Sequence, residues 1–100
     1  MTTIEFKRSG GVIGNAIHLN LDLGSLPEDE VQRLQRLLLE SDFFEIPENI
    51  AGEITPDEFQ YVITVDAGNT SHTVHVSDTT MPETLLPLVE ELTMLKATQY

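Results

Sequence analysis

Six segments of the chain carry a clear hydrophobic period, and their order limits the folds that the chain can adopt. Four of them alternate apolar and polar residues, which predicts half-buried β-strands. The other two repeat their apolar residues at the spacing of one helix face. The strand segments are residues 2–7, 16–23, 59–66 and 71–77, and the helix segments are residues 25–42 and 80–97. The predicted order is therefore β-β-α-β-β-α.

Each predicted strand or helix is apolar on one side only, so each needs another element to cover that side. The simplest arrangement packs both helices on one face of a four-stranded, mostly antiparallel sheet and leaves the other face in water. The fold class is thus α+β, and residues 1–100 are expected to form one domain, the size of a typical small domain. Residues 67–70 predict a hairpin turn, since Gly68 and Asn69 both tolerate positive φ.

The two predicted helices open with the same pattern, a hydroxyl residue followed at the third and fourth positions by Pro and Glu. Residues 25–28 and 80–83 both have the spacing of a capping box, so Ser25 and Thr80 are expected to cap their helices. Pro87 conflicts with a continuous second helix, because its ring would clash with a carbonyl one turn earlier. Either the regular helix begins near Thr84 or it is kinked.

The connection after the first helix is rich in aromatic and aliphatic residues. Phe43, Phe44 and Ile46 precede Pro47 and are expected to fill the core together.

Composition excludes several classes of function. The formal net charge is -12, with 17 acidic residues against five Lys and Arg, so the surface should repel nucleic acid and anionic membranes. Cysteine is absent, which removes disulfides and thiolate metal sites and suits a reducing compartment. Residues 1–5 lack a basic region followed by an apolar run, so we expect no secretory signal and a cytoplasmic location.

The sequence offers little support for catalysis, and we expect neither an enzyme nor a cofactor. His72 and His75 are three residues apart on a strand, so they face opposite ways and should not share a metal ion. His18 and His75 point to the solvent face and would meet only if their strands were close. Ser71, His75 and Asp78 lie too near one another in sequence to form a nucleophilic triad.

A glycine-rich segment between the first two strands is the best candidate for a binding site. A phosphate-binding loop would lead into a helix, whereas a strand follows here. The segment carries two apolar residues at an expected loop tip, and two basic residues flank it. The candidate partner-binding residues are Lys7, Arg8, Ser9, Gly10, Gly11, Val12, Ile13 and Gly14. Two interpretations stay open: a bend whose aliphatic residues fold back onto the core, or a loop that presents them to a partner.

Five short motifs in order give the chain a family resemblance. They are IEFKRSGG at residues 4–11 with Gly14 soon after, FFEIP at 43–47, FQYVITV at 59–65, HTV at 72–74 and LLPL at 85–88. The ordered set resembles the emfourin family, small bacterial protein inhibitors of thermolysin-like zinc metallopeptidases, the protealysin group included. Residues 48–58 and 96–100 carry no part of the resemblance.

The resemblance implies a cytoplasmic inhibitor, monomeric when free, that blocks the zinc cleft of a thermolysin-like metallopeptidase with the glycine-rich loop. Val12 or Ile13 would fill an apolar pocket of the cleft, while the protein itself holds no metal. Replacing Gly10 and Gly11 with Val should then weaken inhibition and leave the thermal midpoint nearly unchanged. The alternative is an acidic, non-inhibitory adaptor that binds a partner along a sheet edge.

Overall fold

A four-stranded antiparallel sheet with two helices forms the protein. The computed structural model describes residues 2–10, 16–49 and 58–99, without the side chains of residues 96–99. The elements are β1 (Thr3–Gly10), β2 (Ile17–Asp22), α1 (Glu28–Glu40), β3 (Phe59–Asp66), β4 (Ser71–Ser77) and α2 (Leu86–Gln99). Single turns of 3-10 helix at Leu23–Ser25 and Phe43–Glu45 flank α1. The predicted element order and fold class are confirmed.

The strands are arranged in the order β2-β1-β3-β4, with every neighbouring pair antiparallel. The first strand of the chain therefore lies inside the sheet, paired on both sides. Phe6 of β1 lies opposite Leu19 of β2 and Ile63 of β3. Because opposite residues in antiparallel strands share a face, these side chains form one row on the helix-covered side. The predicted inward alternation is confirmed.

The core lies between this face and the two helices. Leu34 of α1 and Leu88 and Leu92 of α2 are fully buried against the inward residues of the strands. Arg33 of α1 bridges the helices, with its Nη1 3.3 Å from Glu91 Oε2 of α2. Burying a large apolar side chain contributes about 1.5–3 kcal/mol, so this shared core is the main source of stability.

Both helix caps differ from the prediction. The N-cap of α1 is Pro27, which makes no side-chain capping hydrogen bond. Ser25 Oγ instead donates to the Asp22 carbonyl at 2.9 Å. Thr80 Oγ1 accepts from the Ser77 backbone N–H at 3.0 Å, at the end of β4. The capping-box predictions are wrong because each hydroxyl bonds to the strand end before it rather than to the helix after it.

Pro87 lies in the first turn of α2, because the helix begins at Leu86. The residues before it form a turn in which the Leu85 N–H donates to the Pro82 carbonyl. A proline needs no N–H partner in the first turn. The alternative of a late helix start is thus correct, and the helix begins two residues after the predicted Thr84.

The connection after α1 turns sharply at Asp42, a non-glycine residue in the left-handed region with φ 51°. This turn directs Phe43 and Ile46 into the core, where they are 1% and 8% exposed. Phe44 points outward and is 40% exposed. The prediction that all three fill the core is therefore wrong for Phe44.

The β3–β4 hairpin turns at Gly68, which has φ 95°. Its N–H donates to Asp66 Oδ1 at 3.0 Å, and the Ala67 N–H donates to the Thr70 carbonyl. The predicted hairpin is confirmed, with glycine as the residue that adopts positive φ. Within the described part of the chain, neither helix is long and apolar enough to span a membrane.

Candidate functional site

The predicted binding segment leaves the sheet at one end, where β1 ends and β3 begins. We call this region the loop end; it comprises residues 8–10, 58–61 and Asp78. Ser9 and Gly10 were predicted to belong to the loop, but they are the last residues of β1 and pair with Gln60 and Phe59. They are strand residues because β3 extends two residues beyond Ile17, the first residue of β2, and gives them a partner. Gly11, Val12, Ile13 and Gly14 lie outside the described residues.

The two basic residues beside the loop lie on opposite faces of the sheet. Lys7 is on the exposed face, with its Nζ 3.8 Å from Glu5 Oε1. Such a solvent-exposed pair contributes less than about 1 kcal/mol. Arg8 is on the helix-covered face, opposite Ile17 and Tyr61. The alternation of the strand therefore separates two charges that are adjacent in sequence.

The Arg8 guanidinium stacks over an aromatic ring at the loop end. Its Cζ lies 4.4 Å from the centroid of the Phe59 ring, within the range of a cation–π interaction. The Arg8 Nε is buried and has no hydrogen-bond partner among the described residues. The stacking fixes the direction of a side chain that would otherwise sample many rotamers.

Beside Arg8, a buried tyrosine and an aspartate close the end of the sheet. The Tyr61 hydroxyl donates to Asp78 Oδ1 at 2.9 Å, and Asp78 Oδ2 accepts from the Phe59 N–H at 3.0 Å. Both carboxylate oxygens of Asp78 are therefore satisfied within the protein. Burial and the hydrogen bond to Asp78 raise the pKa of Tyr61 to about 12.

Gly10 is required by the sheet itself. Its φ is 88°, and a Cβ at this position would lie 2.7 Å from the Glu58 carbonyl oxygen. The Glu58 side chain is held in turn, since its Oε1 accepts from the Thr79 N–H at 3.1 Å. A side chain at residue 10 would strain the backbone and clash with the carbonyl that precedes β3. The expectation that Val at this position leaves the thermal midpoint unchanged does not hold for Gly10.

The histidines are placed apart. His72 faces the helices, where its Nε2 is 2.6 Å from the Ile46 carbonyl and its ring contacts Phe43. His75 faces the other side, with its Nε2 3.1 Å from Gln60 Oε1. The predicted opposite orientation of these two residues is confirmed. His18 lies on β2, at the opposite edge of the sheet from β4, and contacts Glu5.

Among the described residues, no group of three or more metal-binding side chains comes together. At the loop end, hydrogen bonds and ring stacking instead hold the residues that precede the glycine-rich segment. A fixed backbone and a stacked guanidinium can position a loop or bind a partner.

Sequence reasoning missed the cluster of Arg8, Phe59, Tyr61 and Asp78. The alternation of β3 correctly predicted that Phe59 and Tyr61 face inward, and this was the one sequence signal that pointed to the cluster. Their contact with Arg8 depends on the pairing of β1 with β3, and the sequence left the strand order open.

Comparison with known proteins identifies the family of this chain. The emfourin family profile matches residues 6–93. Emfourin from Serratia proteamaculans, described as an M4 family peptidase inhibitor, is a similar solved structure. It is 20% identical, with 87% of this chain and 84% of that chain covered and a TM-score of 0.48. Among curated proteins, none matches significantly. From the family match, the chain belongs to the emfourin family, a family of peptidase inhibitors and not of enzymes.

Proposed function

We propose that this protein inhibits a thermolysin-like zinc metallopeptidase, of the protealysin type, by placing the glycine-rich loop in the active-site cleft of the enzyme. Membership of the emfourin family supports the choice of target class. The observation that supports the choice of loop is the set of contacts that hold the loop end, the residues from which the loop begins. Gly10 leaves β1 in a conformation that a side chain would strain, directly against the Glu58 carbonyl.

Ordered residues at the start of the loop favour inhibition over transient binding. A loop whose anchor is already ordered loses less conformational entropy when it binds, and the saved free energy strengthens the complex. On the side of β1, Arg8 stacks on Phe59 while Tyr61 and Asp78 hold the start of β3. A segment held in this way can occupy a cleft in a pose that the enzyme does not cleave.

The loop sequence suits a cleft with an apolar pocket. In this proposal Val12 or Ile13 fills the pocket, and the neighbouring glycines let the backbone approach the floor of the cleft. The protein needs no metal of its own for this action, because the zinc belongs to the peptidase. We also propose that the inhibitor is a cytoplasmic monomer when free, and its charge of -12 would speed encounter with a basic surface on the target.

The decisive experiment measures residual activity of a thermolysin-like peptidase titrated with the protein. We expect stoichiometric loss of activity for the natural sequence. The double variant Val12→Asp, Ile13→Asp should raise the inhibition constant about 100-fold or more, the effect of losing central anchors. Its thermal midpoint should stay close to that of the parent protein.

A matched control changes two exposed apolar residues on α2, Leu86→Ala and Met94→Ala, which are 46% and 62% exposed. This control should inhibit as the parent does. If the loop variant inhibits fully, the loop is not the inhibitory element. If the parent inhibits no thermolysin-like enzyme at large molar excess, the proposed target class is wrong.

The adaptor alternative needs an accessible strand edge, and β2 offers one. Among the described residues β2 pairs only with β1. The other edge strand, β4, is covered near its centre, where the His75 N–H donates to the Glu48 carbonyl and Asn49 bridges to the strand. An adaptor would bind its partner without inhibiting a peptidase and would be insensitive to the loop variant.

A further inference from the structure

An apolar groove lies at the opposite end of the sheet from the loop end. We call it the α1 groove; it encloses about 390 Å³ where the end of α1, the following 3-10 turn and the end of β3 meet. Its apolar lining comes chiefly from Leu38, Leu39, Phe43, Phe44 and Val65. The proposed inhibition through the glycine-rich loop does not use this surface.

The groove exposes two large apolar side chains. Leu39 is 77% exposed and Phe44 is 40% exposed. Leu39 follows two leucines that pack against the core, and successive helical residues are turned by about 100°, so all three cannot face inward. Phe44 is exposed because the left-handed turn at Asp42 sends its neighbour Phe43 inward instead. Exposed apolar side chains that line one groove, unlike single scattered ones, are typical of surfaces that bind partners.

The charge around the groove is negative. Asp42 and Glu45 belong to its lining. The last turn of α1, which borders the groove, contains no basic residue. A positively charged group from a partner would complement these two carboxylates.

We propose that the α1 groove binds a segment of a partner protein in which an apolar side chain is flanked by Lys or Arg. The apolar side chain would contact Leu39 and Phe44, and the basic residues would face Asp42 and Glu45. A second copy of this chain fits poorly, because each copy has a formal charge of -12 and the groove itself is acidic.

The groove and the loop end lie at opposite ends of β3. Val65 lines the groove, whereas Phe59 marks the loop end of the same strand. Six residue steps along a strand span roughly 20 Å. The groove is therefore a surface distinct from the loop end, and the groove proposal stands or falls independently of the inhibition proposal.

The first test uses a fluorescein-labelled peptide in which a Leu-Phe pair lies between two lysines on each side. Fluorescence anisotropy should show saturable binding to the protein at low ionic strength. The same peptide with glutamates in place of the lysines should bind at least about tenfold more weakly, because its carboxylates are repelled by Asp42 and Glu45.

Two sets of variants assign the binding to the groove. The double variant Leu39→Ala, Phe44→Ala should lower the affinity for the lysine peptide about tenfold or more, while Leu86→Ala leaves it unchanged. The variants Asp42→Asn and Glu45→Gln together should weaken binding several-fold and flatten its dependence on salt. Peptidase inhibition by all these variants should equal that of the parent protein.

Four outcomes would overturn the proposal. They are no binding of the lysine peptide at millimolar concentration, equal binding of the glutamate peptide, full binding by the Leu39→Ala, Phe44→Ala variant, and a dimer in sedimentation experiments that this variant abolishes. The last would make a second copy the occupant. Inhibition is measured in a separate assay, so a failure to inhibit would contradict the proposed function and leave the groove proposal standing.

Discussion

The loop end and the α1 groove lie at opposite ends of one sheet and differ in how their polar groups are used. At the loop end, Asp78 bonds to Tyr61 and Phe59, and Arg8 is stacked on an aromatic ring. At the groove, Asp42 and Glu45 border exposed apolar side chains. Hydrogen bonds and stacking within the protein restrain the side chains of the loop end. The α1 groove leaves its apolar and charged side chains free to contact a partner. The comparison shows that one small sheet can carry two surfaces of different chemistry.

Both regions depend on a backbone position with positive φ, but the residues differ. Gly10 serves the loop end without strain, while Asp42 serves the groove with an L side chain. Substitutions at the two positions should therefore change stability in opposite directions, which gives a direct way to test the comparison.

The largest effect is expected at Gly10. Gly10→Ala should lower the free energy of unfolding by about 3 kcal/mol, because it combines left-handed strain with a clash against the Glu58 carbonyl. Urea denaturation would measure the loss. Gly24→Ala is the matched control, since its Cβ would meet only the Asp22 side chain, at 3.3 Å; it should cost less than about 1 kcal/mol. Equal losses at the two positions would show that the loop end is not especially rigid.

The next effect concerns Tyr61. Tyr61→Phe removes the hydrogen bond that the buried tyrosine donates to Asp78 Oδ1 and should lower the free energy of unfolding by about 1–2 kcal/mol at neutral pH. If the variant is as stable as the parent, the tyrosine–aspartate bond does not strengthen the loop end.

The same hydroxyl predicts a pH dependence. Tyr61 keeps its proton up to about pH 12 when folded, whereas its ordinary pKa is 10.0. The unfolded chain therefore loses this proton first, and the parent should lose up to about 2 kcal/mol of stability as pH rises from about 10 to 12. Below pH 10 the ionisation of Tyr61 does not change the free energy of unfolding with pH. Urea midpoints across this range should fall less steeply for Tyr61→Phe than for the parent.

The smallest effect is expected at the groove. Asp42→Gly should raise the free energy of unfolding by about 1 kcal/mol, since glycine adopts the left-handed turn without strain. Thermal denaturation of the variant beside Asp42→Asn, which retains some preference for this conformation, would measure the gain. A loss of stability in the glycine variant would mean that the Asp42 side chain, not its backbone, holds the turn.

Much of the fold followed from local patterns. The period of two in the strands assigned Phe6 and Ile63 to the core face, and the helical period assigned Leu34 and Leu92. These predictions succeeded because the direction of a side chain along a strand or helix is set by local geometry. The capping predictions failed where two local partners competed: Ser25 and Thr80 bond to the preceding strand ends.

The candidate site was only partly predictable. The sequence marked the glycine-rich segment, and its motifs gave the family, which the family match confirms. It could not show that Gly10 is held against Glu58 or that Arg8 meets Phe59, because those contacts depend on strand order. Nor could it show that Phe44 is exposed, since the turn at Asp42 decides which aromatic ring enters the core.

The sequence by itself determined the types of element, their order, their buried faces and the family. Those properties are encoded in spacings of a few residues, which the chain carries wherever it folds. Only the tertiary structure decided that β1 lies between β2 and β3, and with it the loop end and the α1 groove. The physical reason is that both surfaces join residues distant along the chain, and their contacts exist only once the sheet has paired and the core has closed.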